Sequence, residues 1–306
     1  MRILVVGAGA TGGFFGARLH EAGRDVTFLV RPARAEVLRR RGLRITGVGP
    51  DTVVTPNLVT ASEVDGPYDL VLLTVKATAL TPALQDLKPA VGTRTTIVPF
   101  LNGMAHMDTL NDAYGREVVL GGVVRVITTL SDDGDIVQLA PLADIAVGEQ
   151  DGARSERVER VAAVLGGAGF DFAVSGDILT AMWHKWIFIS TLGALNTLAR
   201  GSVGEAVAVP GGADLGARIA AEGAAVAAAA GHPVPQSTLD GVVAFTSRPG
   251  STDTASLYRD LVAGRATEVE QILGDLTARA SASGVATPLL DLATLQLRIH
   301  ENRRAE

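Results

Sequence analysis

The sequence predicts an α/β domain built on a parallel sheet, followed by an all-α domain. Across the first half of the chain, short β-branched runs alternate with helical patterns, which is typical of strands that are buried on both faces and covered by helices. Beyond Asp177 only helical patterns follow. At 306 residues the chain is long enough for two hydrophobic cores. We therefore expect one domain over residues 1–176 and a second over residues 177–306.

Composition and charge narrow the class of protein. Hydrophobic residues make up 47% of the chain and charged residues 20%, as in ordinary globular proteins. A net charge of −6 argues against nucleic acid as the main partner. The chain has no cysteine, which excludes disulfides and agrees with a reducing compartment. Its alanine-rich run, residues 219–230, is too short to span a bilayer, so we expect a cytoplasmic protein without a membrane segment.

The chain opens with a strand–turn–helix–strand unit. Residues 2–6 predict a buried strand, residues 13–22 a helix and residues 26–30 a second strand. The turn between the first strand and the helix is Gly7-Ala8-Gly9-Ala10-Thr11-Gly12. This G-x-G-x-x-G spacing is the fingerprint of a Rossmann domain, in which the glycines let a pyrophosphate approach the free N–H groups at the helix start. All six turn residues are therefore predicted to bind a dinucleotide.

The end of the second strand predicts which dinucleotide is bound. In such domains an acidic residue here binds the ribose 2′-hydroxyl of NAD, whereas an arginine accommodates the 2′-phosphate of NADP. The position after Val30 is Arg31, Arg34 follows, and the first carboxylate comes only at Glu36. We therefore predict NADP(H) as the cofactor. The alternative is that Arg31 merely begins a solvated basic helix over residues 34–41.

Two later strands each end at a polar side chain. Residues 69–75 predict a strand that ends at Lys76, and residues 95–101 predict one that ends at Asn102. Ligands of open parallel sheets bind beyond the carboxyl ends of the strands. Lys76 is therefore predicted to meet a cofactor phosphate, and Asn102 to meet the nicotinamide ribose or the substrate. Asn102-Gly103 is also an ordinary turn signal, which leaves a purely structural interpretation open.

The remaining patterns complete both domains. Strands are predicted over residues 118–129 and 136–147 with a turn at 131–134, followed by a helix over 155–165 and a strand over 170–174. Glycine and proline clusters separate the later helices. The helices predicted for the second domain span residues 178–198, 214–230, 237–245, 253–261, 267–283 and 289–302.

A lysine lies on an apolar face of the first of these later helices. The residues three and four positions from Lys185 are Ala181, Met182, Phe188 and Ile189. Because an unpaired buried ammonium is costly, the Lys185 side chain either extends its charged end to water or has a function and a partner carboxylate. Glu268 and Glu270 are both candidates for that partner. Either could lie in the first turn of a helix for which Thr267 is the predicted N-cap, where the helix dipole favours a carboxylate. Local pattern does not choose between the two glutamates.

A neighbouring histidine is the competing proton donor. His184 precedes Lys185, but adjacent residues on a helix point about 100° apart, so the two cannot serve the same carbonyl group. A role for His184 in packing or on the helix surface is the alternative. The five histidines are scattered along the chain, and no metal site is predicted.

Taken together, these residues resemble the ketopantoate (2-dehydropantoate) reductase family over nearly the whole chain. The matching segments are the glycine turn 7–12, Arg31, Lys76, Leu101–Met104, Trp183–Lys185 and Arg265–Glu268. The resemblance implies a Rossmann domain and a helical domain that enclose the active site in the cleft between them. It also implies NADPH-dependent reduction of a small-molecule 2-oxo acid, 2-dehydropantoate, to pantoate for pantothenate biosynthesis.

The resemblance further implies roles for individual residues. Lys185 would be the catalytic lysine, and Glu268 would lie beside it and beside the cofactor ribose. Asn102 would bind both cofactor and substrate. Ser256 would contact the substrate.

Three positions depart from the family pattern. Members that make pantoate carry substrate-binding asparagines at the positions of Ile189, Gly193 and Val203, and Asn196 is out of register with them. Loss of groups that hydrogen-bond one substrate discriminates strongly against it. A more apolar 2-oxo acid or carbonyl compound is therefore an alternative substrate. A 3-hydroxyacid-type dehydrogenase and a non-catalytic NADP(H)-binding redox sensor are further alternatives, and the sequence is compatible with a homodimer.

Overall fold

The protein consists of two compact units, which the computed structural model describes over residues 1–305. Unit 1 comprises residues 1–101 and 106–178. Unit 2 begins at residue 179 and also takes in residues 102–105. The predicted classes are confirmed: an α/β fold with a parallel sheet comes first, and an all-α fold follows.

The first 177 residues, which precede α6, contain ten strands and five α-helices. The strands are β1 (Arg2–Val6), β2 (Asp25–Leu29), β3 (Leu43–Gly47), β4 (Thr52–Val54), β5 (Asn57–Val59), β6 (Leu70–Leu73), β7 (Thr96–Pro99), β8 (Gly121–Leu130), β9 (Ile136–Gly148) and β10 (Asp171–Val174). The helices are α1 (Ala10–Glu21), α2 (Pro32–Arg41), α3 (Leu80–Leu87), α4 (Ala105–Tyr114) and α5 (Glu156–Leu165).

Five of these strands form a parallel sheet in the order β5-β2-β1-β6-β7. Every residue of β6 and β7 is buried, which explains why seven of their eight residues are apolar. Since the strands are parallel, their carboxyl ends lie at one edge of the sheet. Gly7, Arg31 and Lys76 follow β1, β2 and β6 at that edge.

A second, mixed sheet completes unit 1. Its order is β10-β9-β3-β4, and β8 pairs antiparallel with β9. The β8–β9 hairpin runs from the pair Gly121 and Gly148 to the pair Leu130 and Ile136, as the predicted strands and turn require. Strands β3, β4 and β5 were not predicted. They have only three to five residues each, too few for a clear periodic pattern.

Unit 2 is helical. Its elements are α6 (Ile178–Ala199, whose first residue belongs to unit 1), α7 (Val203–Val207), α8 (Leu215–Ala229), α9 (Gln236–Thr246), α10 (Ser256–Val262), a π-helical turn (Glu270–Gly274), α11 (Asp275–Ser283) and α12 (Pro288–Ala305). The single helix predicted over residues 267–283 is therefore two joined segments, a π-turn and α11.

Helix α6 is largely enclosed by the rest of the protein. It is long and apolar enough to cross a membrane by length and composition. However, 61% of its most apolar 18-residue stretch is buried inside the structure, and core helices of soluble proteins meet the same criteria. Trp186 and Ile187, each 1% exposed, are among its buried residues.

Candidate active site

The glycine turn leaves the start of α1 open to a ligand. Gly9 precedes the helix, and no side chain of the described residues caps the N–H groups of its first turn. A Cβ on Gly9 would meet no described atom within 4 Å, so there is space over the turn. Gly7 has φ +98°, where L side chains are strained. Free N–H groups beside open space fit the pyrophosphate of a dinucleotide.

The third glycine lets α1 lie directly on the sheet. A Cβ on Gly12 would be 2.0 Å from Thr74 Oγ1 and 2.2 Å from the carbonyl oxygen of Gly7. Thr74 Oγ1 lies 2.9 Å from each of the carbonyl oxygens of Val6 and Gly7, to which it donates. These bonds hold the chain after β6 beside the glycine turn. Lys76, which is exposed, lies two residues further on.

The two arginines after β2 have different surroundings. Arg34 donates to the carbonyl oxygen of Ala8 from Nε at 3.3 Å and Nη2 at 3.2 Å, and to that of Gly134 from Nη2 at 3.0 Å. Burial lowers the pKa of the Arg34 guanidinium. Arg34 therefore holds the glycine turn in place. Arg31 is exposed at the start of α2, so of these two arginines it is better placed to meet a 2′-phosphate.

In unit 2, the lysine helix is bonded to the segment that carries the predicted glutamate. Lys185 is half-buried on α6. Trp186 Nε1 and Ser190 Oγ donate to the carbonyl oxygen of Ile272, at 2.8 and 3.0 Å. Ile272 lies four residues after Glu268, and its N–H donates to the Glu268 carbonyl oxygen at 3.0 Å. Helix α6 is thereby joined to the backbone that follows Glu268.

A second set of bonds joins α6 to the start of α10. Asn196 is fully buried, and its Nδ2 donates to the carbonyl oxygen of Gly201 at 2.8 Å. Its Oδ1 accepts a bond of 2.8 Å from the N–H of Ala255, which directly precedes Ser256. Ser256 is the exposed first residue of α10. Because both ends of the Asn196 amide bind the backbone, Asn196 does not replace the missing substrate asparagines.

The three departing positions are apolar in the structure as well. Ile189 is half-buried and Val203 is fully buried. A Cβ on Gly193 would be 3.0 Å from Cδ2 of Leu257, so an asparagine at position 193 would require Leu257 to move. Leu257, which the sequence did not single out, fills the space that such a side chain would enter.

The two candidate glutamates have different surroundings in the structure. Arg298 of α12 donates to both carboxylate oxygens of Glu270, at 2.8 and 2.7 Å, and these hydrogen bonds lower the pKa of Glu270. Glu268 is half-buried and directly precedes the first helical residue. Glu270 therefore belongs to an ion pair with α12.

The predicted helix cap at Thr267 is wrong. Its N–H and Oγ1 both donate to Oε1 of Glu301 on α12, at 2.7 Å each. Burial acts to raise the pKa of Glu301, but the bonds from Thr267 and the charges of Arg304 and His300 outweigh it and lower that pKa. Glu301 thus fixes the chain one residue before Glu268.

His184 lies on a different face of α6 from Lys185. Phe188, one turn further along, packs edge-to-face on Phe245 of α9, with ring centroids 5.1 Å apart. This face of α6 therefore turns toward α9. Among the described residues, His184 Nε2 is buried without a hydrogen-bond partner. These observations favour a packing role for His184.

The two units divide the predicted site residues between them. The residues predicted to act on the substrate all belong to unit 2: Asn102, Lys185, Ser256 and Glu268. Those predicted to bind only the cofactor belong to unit 1: the glycine turn 7–12, Arg31 and Lys76. Within the described part of the chain, no group of three or more histidine, aspartate or glutamate side chains could hold a metal ion.

Several residues that hold the site were not predicted from the sequence. They are Arg34 in its bonds to the glycine turn, Trp186, Ser190, Asn196 and Leu257. The one signal available for Trp186 and Ser190 is their spacing of four residues on an otherwise apolar helix, which places an indole N–H and a hydroxyl on one face.

Both halves of the chain match sequence models of a known family. Residues 3–152 match "Ketopantoate reductase PanE/ApbA", and residues 177–301 match "Ketopantoate reductase PanE/ApbA C terminal". Over 301 residues the chain is 32% identical to the uncharacterized oxidoreductase YkpB of Bacillus subtilis, covering 98% of this chain and 99% of that protein.

Two solved structures are similar over almost their whole length. The 2-dehydropantoate 2-reductase of Geobacter metallireducens superposes with a TM-score of 0.89 at 28% identity, covering 97% of this chain and 99% of that one. A D-mandelate dehydrogenase in a ternary complex with NADH and anilino(oxo)acetate superposes with a TM-score of 0.89 at 25% identity, covering both chains completely.

Proposed function

We propose that this chain, which belongs to the ketopantoate reductase family, reduces a 2-oxo acid in the cytoplasm with NADPH and uses Lys185 as the proton donor. As a member of that family it is an NADP-dependent oxidoreductase. The observation that carries the proposal is the bonding of α6, the helix of Lys185, through Trp186 and Ser190 to the backbone after Glu268 and through Asn196 to the residue before Ser256.

The chemistry assigned to unit 2 is polarisation and protonation of a carbonyl group. When bound, NADPH supplies a hydride to the carbonyl carbon. The Lys185 ammonium donates a hydrogen bond to the carbonyl oxygen and transfers a proton as negative charge develops there. Glu268 keeps that ammonium charged and oriented. Ser256 and Asn102 hold the acid in place, and the product is a 2-hydroxy acid.

The preference for NADPH rests on the surroundings of Arg31. Its exposed position at the end of β2 allows a charge-assisted bond to a 2′-phosphate. Arg34 supports the same site indirectly, because its bonds to the carbonyl oxygen of Ala8 hold the glycine turn in place. The D-mandelate dehydrogenase complex contains NADH. A comparison of kcat/KM for NADPH and for NADH therefore tests this preference.

2-Dehydropantoate is the first substrate candidate. The family models match both halves of the chain, and the Geobacter metallireducens 2-dehydropantoate 2-reductase is similar over 97% of it. Its reduction would yield pantoate, the acid used in pantothenate biosynthesis.

A 2-oxo acid with an apolar substituent is the second candidate, and a specific contact favours it. Leu257 packs against Gly193, where pantoate-forming members carry an asparagine, and Ile189 replaces a second asparagine one turn away. An apolar wall cannot replace hydrogen bonds to a hydroxyl group, whereas it stabilises a hydrocarbon substituent by burial. The similar D-mandelate dehydrogenase was solved with anilino(oxo)acetate, a 2-oxo acid derivative with an aromatic group.

The proposal is tested by following NADPH absorbance with 2-dehydropantoate and with a panel of aliphatic, branched and aromatic 2-oxo acids. We expect turnover of at least one of them, with a higher kcat/KM for NADPH than for NADH. Turnover of 2-dehydropantoate would support the first candidate, and turnover of the apolar acids alone would support the second. Tight NADPH binding without any turnover would overturn the enzyme assignment in favour of a redox sensor.

Two variants then test the residues. Lys185→Ala should lower kcat by roughly 10²- to 10⁴-fold, the usual contribution of a general acid. Lys88→Ala is its matched control, because Lys88 is an exposed lysine in unit 1. Combining Gly193→Asn with Leu257→Ala should raise kcat/KM for 2-dehydropantoate relative to an apolar acid. Gly193→Asn alone should raise it less, since the Leu257 side chain would have to move to admit the new side chain.

A further inference from the structure

The helix that follows Glu268 begins with an irregular turn. Residues Glu270–Gly274 are π-helical, and the N–H of Asp275 bonds to the carbonyl oxygen of Glu270, five residues back. The turn is buried on its inner side, where Ile272 and Leu273 are 2% and 0% exposed. Such turns are rare in proteins and occur mostly as single insertions in α-helices, frequently at functional sites.

Two donors of α6 converge on this turn. Trp186 Nε1 and Ser190 Oγ both bond to the carbonyl oxygen of Ile272, and both side chains are 1% exposed. The two donors are four residues apart, so they lie on one face of α6. Trp186 follows Lys185 directly. Its bond to Ile272 therefore fixes the rotation of α6 about its axis, and its position along that axis, at the lysine.

The Ser190 hydroxyl is used differently from those of Thr246 and Thr294, two other buried residues of unit 2. Thr246 and Thr294 donate to carbonyl oxygens of their own helices, four residues back. Such local bonds are the common choice for hydroxyls inside helices and hold nothing outside them. Ser190 instead donates to a residue 82 positions away. Its bond therefore contributes to tertiary structure.

The loop that carries Asn102 lies on the same turn. Gly103 has φ +79°, and a Cβ on it would be 2.2 Å from the carbonyl oxygen of Gln271. The backbone of this loop is thus in direct contact with the carbonyl that precedes the one bound by Trp186 and Ser190. No side chain larger than that of glycine fits this position without moving the loop or the turn.

The outer side of the turn is held by α12. Glu270, its first residue, makes a bidentate ion pair with Arg298. At the other end, a Cβ on Gly274 would be 2.3 Å from Oε2 of Glu270, so glycine allows this side chain to fold over the turn. The turn is therefore fixed on both sides.

We infer that the π-turn Glu270–Gly274 is the positioning element of the active site, with Trp186, Ser190 and Gly103 as its positioning residues. It sets Lys185 relative to Glu268 and fixes the Asn102 loop against the same backbone. Trp186 and Ser190 are each 1% exposed, so they act through the backbone that they bind and not by contact with the substrate. The inference rests on the proposed function, in which Lys185 donates the proton and Glu268 keeps it charged.

The test compares variants that each remove one donor of the Ile272 carbonyl. Ser190→Ala and Trp186→Phe should each lower kcat by roughly 10- to 100-fold, because small displacements of reacting groups have effects of that size. KM for NADPH should change less than kcat, since the residues predicted to bind only the cofactor belong to unit 1. Ser190→Thr keeps a hydroxyl and should restore most of kcat.

The pH profile separates positioning from general stability. A nearby carboxylate favours the charged form of a lysine, so loosening the proposed pairing of Lys185 with Glu268 should lower the lysine pKa. The alkaline limb of kcat should therefore move to lower pH in Ser190→Ala and Trp186→Phe. The Lys185 pKa measured by NMR in the cofactor-free protein should fall in the same variants. Thr246→Val is the control, because it loses a buried hydroxyl that bonds within its own helix.

The outcomes are distinct. Wild-type protein that turns over no 2-oxo acid would refute the proposed function itself. Active wild-type protein, with variants that keep kcat and the lysine pKa while losing only thermal stability, would refute the positioning role. A kcat loss in Thr246→Val equal to that in Ser190→Ala would also refute it. If Trp186→Phe does not fold, Ser190→Ala, which removes a single oxygen atom, carries the test alone.

Discussion

Replacement of Asn196 by alanine should lower the stability of unit 2 and also weaken substrate binding. The Asn196 side chain is fully buried and makes two bonds of 2.8 Å, one to the carbonyl oxygen of Gly201 and one from the N–H of Ala255. Alanine leaves both backbone groups without a partner. The bond to Ala255 is fully buried, whereas Gly201 is partly exposed and can recruit water.

The size of the effect follows from that difference in burial. An unsatisfied buried polar group costs about 1–3 kcal/mol, and a group that water can reach costs less. We therefore expect the free energy of unfolding to fall by about 2–4 kcal/mol. Because Ala255 directly precedes Ser256, KM for the 2-oxo acid should also rise, while KM for NADPH should not.

Tryptophan fluorescence suits this measurement, because both tryptophans of the chain, Trp183 and Trp186, lie on α6 of unit 2. Urea unfolding followed by this signal reports unit 2 separately from unit 1, which need not unfold in the same step. Asn111→Ala is the matched control, since the Asn111 amide exchanges two bonds with Gln150 in unit 1. A loss below about 0.5 kcal/mol, the usual range for surface substitutions, or an unchanged KM for the acid would refute the reasoning.

Three further predictions follow from single contacts. Arg31→Asp should lower kcat/KM for NADPH by roughly 10- to 100-fold, the worth of a charged hydrogen bond, and an unchanged ratio of NADPH to NADH activity would contradict the assignment. His184→Gln should keep kcat within roughly twofold, because its face of α6 turns to α9; loss of activity comparable to Lys185→Ala would make His184 the acid. The lowered pKa of Glu301 means that its bonds to Thr267 stabilise the fold above the ordinary carboxyl pKa and lose this effect as pH falls through the folded value. The stability gap between wild type and Glu301→Gln, measured by urea unfolding, should therefore shrink toward acid pH, and a constant gap would contradict it.

The cofactor half of the site could be predicted because its signals are local. The glycine spacing, the buried strand before it and the arginine after β2 lie within 31 residues of one another. A βαβ unit leaves few ways to arrange such a segment, so the turn, the open helix start and the exposed Arg31 follow from sequence and geometry together. Even here the bonds from Arg34 to Ala8 could not be predicted, because nothing in a basic stretch tells which arginine folds back.

The substrate half depends on contacts that are distant in sequence. Arg298 pairs with Glu270 and thereby favours Glu268 as the partner of Lys185, and the position of Thr267 is set by Glu301. Neither partner is adjacent in the chain, so local pattern had to leave the glutamates open and assign Thr267 as a cap. The π-turn was hidden for a similar reason. Residues 267–283 have an ordinary helical pattern, and the change in hydrogen bonding appears only through the segments packed against it.

On α6, the residues that we propose to face the substrate lie on a different face from those that bind the π-turn. Lys185, Ile189 and Gly193 are spaced by four residues and share one face, whereas Trp186 and Ser190 lie on the adjacent face that binds the π-turn. Under the proposed function, substitutions along the first face change what contacts the substrate without altering the bonds that orient the helix. This arrangement explains how the chain can retain the lysine and its supports while three substrate asparagines are absent. The same reasoning implies that changes at Gly193 alter KM for the acid and leave the pH dependence of kcat where it was, the reverse of the effect expected at Ser190.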